Sequence, residues 1–314
     1  MKILITGGAG FIGSHVARFH IEKGDEVIVL DNLLTGSKDN LSSIKNNPLL
    51  QYIHADIVSY DFSSIPTVDL IYHLACPASP IQYKKYPVET LLTSSQGTYN
   101  VVEFMKRSQS KSLVFSSTSE VYGDPLIHPQ IESYWGNVNP NGVRSCYDEG
   151  KRYAEALLMT YVRTYNLDIR FARIFNTYGP NMEKDDGRVV SNFVNQALSQ
   201  HPITIYGKGT QTRSFCFVSD MVRGLYALGI TPNIKGEVIN IGNPDERSVE
   251  ELAILIKNLV HSQSEIIHEH IDADDPQKRK PDISKAQKML KWNPEIPLEK
   301  GLLQTITYFQ KRFS

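Results

Sequence analysis

Cysteine is scarce in this chain, and the three present, Cys76, Cys146 and Cys216, lie far apart. An odd number at such spacing excludes a disulfide framework and forms no zinc-ligand pattern. The three read as buried reduced thiols that pack as small hydrophobes, which points to the cytosol, where disulfides are rare. No metal site is expected. A surplus of charge is lacking too: 33 Lys and Arg stand against 34 Asp and Glu, a net charge of −1. Nucleic-acid binders normally carry a basic excess, so none is expected as a partner. No apolar run approaches the roughly 18 residues of a membrane span. The opening MKILITGGAGFIG is broken by glycines and ends in no cleavage site, so it reads as a first strand rather than a signal segment. Internal repeats and low-complexity tracts are also absent.

The composition, 41% apolar and 21% charged over 314 residues, suits a globular enzyme of one large or two closely packed domains. Lys2 to Ile5, Glu26 to Leu30, Gln51 to His54, Leu70 to Leu74, Ser112 to Ser116 and Asp168 to Phe175 are short, continuous apolar runs rather than alternating ones. Strands of that kind are buried on both faces of a parallel sheet. Helical spacing falls between them, over 11–23, 90–107 and 145–165. The predicted fold is therefore α/β, a Rossmann-type doubly wound parallel sheet over residues 1–175. A smaller α/β domain, partly interleaved with the first, is predicted over 176–314. Its strands are expected near 203–206, 214–218 and 238–241, and its helices near 249–259 and 300–313.

Gly7-Gly8-Ala9-Gly10-Phe11-Ile12-Gly13 follows the first strand and opens the first helix. Gly7 permits the tight turn, Gly10 lets the backbone approach a pyrophosphate, and Gly13 lets helix and strand pack closely. Phosphates would meet free N–H groups at the positive end of the helix. A glycine triplet alone is weak, but Asp31 ends the second strand, where a carboxylate accepts ribose hydroxyls and repels a 2′-phosphate. NAD is thus expected rather than NADP. Asp56, ending the third strand, is placed to hold the adenine amine, although a solvated strand-end acid is the plain alternative.

Tyr147 and Lys151 stand four apart near the start of the longest helix, one turn apart on one face. A neighbouring cation stabilises phenolate and lowers the tyrosine pKa. Tyr-x-x-x-Lys is common on surface helices, but here the fifth strand ends upstream in Ser116-Ser117-Thr118-Ser119-Glu120. A hydroxyl from that strand end can share a substrate proton with Tyr147. The chemistry expected is hydride transfer from a sugar carbinol to nicotinamide, with Tyr147 as base.

The glycine spacing, the segment Asp31-Asn32-Leu33-Leu34-Thr35-Gly36 and the set Thr118, Tyr147 and Lys151 resemble the extended short-chain dehydrogenase/reductase superfamily. The strings STSEVYGDP, HPQIESYWGNVNPNGVRSCYDEGKRYAE, RIFNTYGPNM, DGRVVSNF, GKGTQTRSFCFVSD and DDPQKRKPDISKAQKMLKWNPE make the resemblance specific, over nearly the whole chain, to the UDP-glucuronate decarboxylase (UDP-xylose synthase) family. The resemblance implies a redox-neutral cycle. Bound NAD oxidises carbon 4 of UDP-glucuronate, the β-keto acid loses carbon dioxide, the enolate is protonated, and the hydride returns.

On the cofactor side the resemblance implies Gly7, Gly10, Phe11, Ile12, Gly13, Asp31, Asn32, Thr35, Gly36, Asp56, Ile57, Leu74, Ala75, Tyr147, Lys151, Thr177 and Arg188. On the substrate side it implies Asn100, Tyr147, Asn176, Arg188, Val189, Tyr206, Gln211, Arg213 and Arg279. The catalytic set is Thr118, Ser119, Glu120, Tyr147, Lys151 and Arg279. Ser119 would relay a proton to the enolate, Glu120 would orient the carboxylate end of the sugar or a water, and Arg279 would meet the carboxylate or the diphosphate. The related 4,6-dehydratases carry Asp where Ser119 stands and use it as the acid that expels water, so dehydration is disfavoured here. Two positions depart from the family pattern: Leu92 stands where a Lys would reach the sugar, and Glu183 where a neutral or basic residue is usual. A related acidic nucleotide sugar, or a 4-epimerase or 4,6-dehydratase reaction, is the alternative. A homodimer through helices 90–107 and 145–165 is also implied.

Overall fold

The computed structural model describes residues 1–270 and 278–313. β1 (Lys2–Thr6) ends at Gly7, whose φ of +73° makes the turn into α1 (Phe11–Glu22). That helix stops at Lys23, followed by Gly24 in the left-handed region, the usual glycine stop. β2 (Glu26–Asp31), β3 (Leu50–His54) and β4 (Leu70–His73) follow. Next come α2 (Pro80–Lys85), α3 (Pro87–Leu92), a wide turn over Thr93–Gly97 and α4 (Thr98–Ser108). The single helix expected over 90–107 is thus interrupted. At Gly97 a Cβ would come within 2.6 Å of the Ile57 side chain, so the wide turn seats this segment against the loop after β3. β5 (Ser112–Thr118), α5 (Ser145–Tyr165) and β6 (Ile169–Ile174) complete the first half.

The second half contains β7 (Thr177–Tyr178), α6 (Val189–Leu198), β8 (Ile203–Tyr206), β9 (Thr212–Ser214), β10 (Cys216–Phe217), α7 (Val218–Ile230) and β11 (Val238–Ile241). After these come β12 (Glu246–Ser248), α8 (Val249–Val260), β13 (Ile266–Glu269), β14 (Lys278–Arg279), α9 (Ser284–Leu290) and α10 (Leu298–Phe313). The strand expected over 214–218 is split, with β9 pairing to β12 and β14 and β10 pairing to β7. The first four residues of the string DDPQKRKPDISKAQKMLKWNPE lie outside the described residues.

The main sheet is parallel, in the order β11-β6-β5-β4-β1-β2-β3. Both faces are apolar, which explains the continuous runs. Ile3, Ile5, Val27 and Val29 belong to the core shared with α1 and α7, while Leu4, Ile28, Leu113 and Phe115 belong to the core shared with α4 and α5. Strand order reverses between β1 and β4, and ligands of such sheets bind beyond the strand ends at that switch point. Residues 176–314 do not stand apart: β11 completes the sheet beside β6, and α7 packs on α1, β5 and β6. Among the described residues no helix is long and apolar enough to cross a membrane.

Candidate active site

A cavity of about 670 Å³ opens at the carboxyl ends of β1, β2, β4 and β5 and runs on between the two halves of the chain. Its first end is built by Gly7 and Gly13. A Cβ on Gly13 would sit 2.1 Å from the Gly7 carbonyl, and one on Gly7 2.7 Å from the backbone of Ala75, so only glycine lets α1 start this close to the strands. The Gly10 N-cap has no side-chain hydrogen bond, which leaves first-turn amides available to an anion. Phe11 and Ile12 line the same wall.

Asp31 is buried, and each of its oxygens accepts one backbone N–H: Oδ2 from Ala9 at 2.9 Å and Oδ1 from Leu33 at 2.8 Å. Burial raises its pKa, against those bonds. The Gly10 amide also faces Asp31; a carboxylate has about four lone-pair sites, so acceptor capacity remains for a ribose hydroxyl. Asn32 donates to Asp56 at 3.0 Å, and Asp56 also accepts from the Val58 amide. Thr35, Gly36, Ile57, Leu74, Ala75 and Thr177 line this end as well. The glycine cradle, the uncapped helix and the buried acid fit a dinucleotide.

The reactive end lies where β5 stops. Tyr147 is buried beside Thr118, whose hydroxyl favours the ionised phenol. Lys151, also buried, donates to the Ser116 carbonyl at 2.8 Å, and its ammonium stands 6.0 Å from the Tyr147 ring. The sequence reading has Lys151 lowering the tyrosine pKa. In this structure burial instead pushes the phenol well above its ordinary value, and Thr118 and Arg188 offset it only in part. Burial likewise lowers the lysine.

Beyond them, Thr118 Oγ1 accepts from the Glu120 amide at 3.2 Å, shaping the turn that carries Ser119 and Glu120. Ser119 Oγ is 3.5 Å from Glu120 Oε1. Burial raises the Glu120 pKa, but Arg279, Arg144 and Arg213 outweigh it and hold the carboxyl ionised below its ordinary range. Arg279, itself buried, pairs with both Glu120 oxygens at 3.2 and 3.3 Å and donates to the carbonyls of Ser119 and Gly123. Arg279 therefore meets a protein carboxylate and also lines the cavity.

On the far side Asn176, Arg188, Val189, Tyr206, Gln211 and Arg213 line the cavity. Arg188 lies 3.4 Å from Asp186, and Gln211 donates to the Tyr206 carbonyl at 2.7 Å. Two expectations need correction. Asn100 does not line the cavity. Its amide donates to the carbonyls of Ile57 and Val58 at 2.9 and 2.8 Å, so it holds the cofactor-side loop from behind. Leu92, 45% exposed on α3, does not line the cavity either; Thr93 does. Leu92 itself thus makes no part of the cavity wall, whereas Glu183 does.

Sequence reasoning missed Arg144 and Tyr83. Arg144 donates to Glu120 and stands 3.7 Å from Asp148. Its signal was its place three residues before Tyr147. Tyr83 stacks on Tyr147 from a helix far away in the chain, which no local spacing announces. Among the described residues no group of His, Cys, Asp or Glu is placed to hold a metal, and all three cysteines are free.

The family model of the NAD dependent epimerase/dehydratase family matches residues 3–242. UDP-glucuronic acid decarboxylase 1 of Arabidopsis thaliana is 52% identical over 312 residues, 99% of this chain and 70% of that protein. UDP-glucuronic acid decarboxylase 1 of Xenopus tropicalis is 50% identical over 310 residues, 99% of this chain and 72% of that protein. Among solved structures, UDP-glucuronic acid 4-epimerase from Bacillus cereus in complex with UDP-glucuronic acid and NAD superposes with a TM-score of 0.90 at 29% identity, covering 99% of this chain and 100% of the other.

Proposed function

Because the chain belongs to the NAD dependent epimerase/dehydratase family, we propose that it is a carboxy-lyase converting UDP-glucuronate to UDP-xylose and carbon dioxide. The observation that carries this reading is the Ser119-Glu120 pair at the end of β5, with Glu120 held as a carboxylate by Arg279 and Arg144 beside the Thr118, Tyr147 and Lys151 set. Identity of 50–55% to decarboxylases over nearly the whole of this chain supports it.

NAD would be held by Gly7, Gly10, Gly13, Asp31 and Asp56; when bound, it supplies the oxidation of carbon 4 and its reversal. Tyr147, in its phenolate form, takes the proton of the 4-hydroxyl, and Thr118 beside it favours that form and keeps the oxygen in line. The resulting ketone lies β to the sugar carboxylate. The bond to the carboxylate breaks, its electron pair enters the ketone as an enolate, and Tyr147 and Thr118 hydrogen-bond the developing oxyanion. Ser119 gives its hydroxyl proton to carbon 5 and regains one from a water, which the ionised Glu120 would orient. A serine is a poor acid for expelling water, so the 4,6-dehydratase route is disfavoured. The ionised Glu120 sets the orientation of the carboxylate end, with Arg279 and Arg144 balancing its charge. The UDP moiety lies along Asn176, Arg188, Tyr206, Gln211 and Arg213, a guanidinium fork being suited to diphosphate.

We infer further that the chain acts as a cytoplasmic homodimer paired through α4 and α5. The exposed Tyr99 and Tyr153 on these helices, with Leu91 and Leu92 beside them, support that pairing. A sedimentation profile with only monomer at micromolar concentration would overturn it. The reaction itself is tested by incubating the protein with NAD and UDP-glucuronate and following the nucleotide sugar by mass spectrometry. Loss of the mass of carbon dioxide, with UDP-xylose formed, is expected. Unchanged mass with an altered sugar would make it a 4-epimerase. Loss of the mass of water would make it a dehydratase.

A further inference from the structure

Arg279 reaches Glu120 from 159 residues away, on a strand only two residues long. So short a strand cannot aim a long, flexible side chain by itself. Pairing with β9 sets Arg279 against Arg213, and Ser214 Oγ is 3.4 Å from the Arg279 carbonyl. The closest grip comes from a single residue of the loop between β5 and α5. Gln130 is fully buried, at 0% exposure. Its backbone N–H donates to the Lys280 carbonyl at 2.9 Å, and its Oε1 accepts from the Lys280 amide at 2.8 Å. Its own carbonyl accepts from the Asp282 amide at 2.9 Å and from Asn240 Nδ2 at 3.0 Å. Its Nε2 donates to the Ile127 carbonyl at 2.9 Å.

Backbone and carboxamide thus clamp the peptide just after Arg279 from both sides. The bonds also close a ring. Tyr122, in the same turn as Glu120, donates to Asn240 at 2.7 Å; Asn240 holds Gln130; Gln130 holds Lys280; and Arg279 returns to Glu120. The carboxamide suits this place because it supplies an acceptor to Lys280 and a donor to Ile127 without charge. A carboxylate there would lose the donor and put a second anion near Arg279.

We propose that Gln130 is a positioning residue that fixes where the Arg279 guanidinium stands relative to Glu120 and to the carboxylate end of the substrate. The inference rests on the decarboxylase reading for its kinetic consequence only. Displacing a catalytic group by about 1 Å costs about 100-fold in rate.

The test is Gln130→Met in the full chain, alone and combined with Arg279→Ala, compared with the wild type. NAD titration and thermal melting monitor the fold. Gln130→Met is expected to keep NAD affinity and to lose about 100-fold in kcat for UDP-xylose formation. In the Arg279→Ala background it is expected to add less than about twofold, because the two residues act as one unit. A purely structural residue would lower both backgrounds equally, and additive losses or full activity of Gln130→Met overturn the proposal. If Gln130→Met loses NAD binding, Gln130→Leu, which also removes both side-chain hydrogen bonds without adding charge, enters the same cycle. Amide hydrogen exchange over residues 278–282 reads the clamp without substrate. Faster exchange at Lys280, whose amide loses the Oε1 acceptor, is expected in the variant, with Asp282, bonded to the backbone carbonyl, as the internal control; unchanged exchange at Lys280 refutes the clamp. A wild type that releases no carbon dioxide would sink the decarboxylase reading, while the exchange result would still decide the role of Gln130.

Discussion

Tyr83 lies face to face on Tyr147, ring centroids 5.2 Å apart and planes within 8° of parallel. The stack seals the phenol proposed as the proton-transfer group, and its burial is the main reason that phenol resists ionisation. Replacing Tyr83 with Leu removes the lid and readmits water. Desolvation raises a phenol pKa, so the ionisation on which proton removal depends should move to lower pH. The pH profile of kcat/KM should shift down by roughly one unit. An unmoved profile would mean that other walls keep Tyr147 dry.

Glu120 has two arginines as partners and is held ionised. Glu120→Ala should leave NAD affinity unchanged and lower UDP-xylose formation by about 100-fold or more, within the range for loss of a group acting in the transition state. Full activity would remove Glu120 from the mechanism.

Asp148 follows Tyr147 in α5, and its Oδ1 is buried without a hydrogen-bond partner. Burial, then the Glu120 charge, push its pKa up to about 7, against Arg144. In the unfolded chain it would ionise near the ordinary value of about 4. Between those values the folded protein keeps a proton that the unfolded chain has released, so stability falls as pH rises through the window. Above it the whole penalty is present; below the unfolded value there is none. Asp148→Asn should therefore raise the melting temperature more at about pH 8 than at about pH 5. Equal changes at both would show that Asp148 ionises normally.

Asn100 and Leu92 separate what lines the cavity from what lies behind it. Asn100→Ala takes a donor from two carbonyls of the loop bearing Ile57, which costs on the order of 1–3 kcal/mol. NAD should bind roughly tenfold more weakly, with the KM for UDP-glucuronate unchanged at saturating NAD.

Leu92→Lys should leave the KM for UDP-glucuronate within about twofold, as expected of a surface change away from the site. A marked fall in KM would show that a longer side chain at 92 reaches the sugar.

Local features were legible in the sequence. The strand-glycine-helix unit of residues 2–22 and the bounds of α5 and β11 follow from apolar runs and their stops, whereas the place of β11 beside β6 in the main sheet does not. Most of the site was legible too, because its residues sit at strand ends and in one helical turn. What escaped depends on contacts between distant segments. Tyr83 meets Tyr147 only after α2 folds over the cavity, and Gln130 meets Lys280 only across the two halves. The pKa of Tyr147 escaped for a related reason: spacing announces the ammonium of Lys151, but not the water excluded around the phenol.

β11 has a consequence for synthesis. Residues 238–241 close the sheet beside β6, so on the ribosome the dinucleotide-binding half emerges with β6 as a bare edge. An unpaired edge invites association with other chains, and a late, distant pairing prolongs that exposure. A fragment ending near residue 175 would carry the same defect permanently. The first half thus waits on the second before its edge is covered against aggregation.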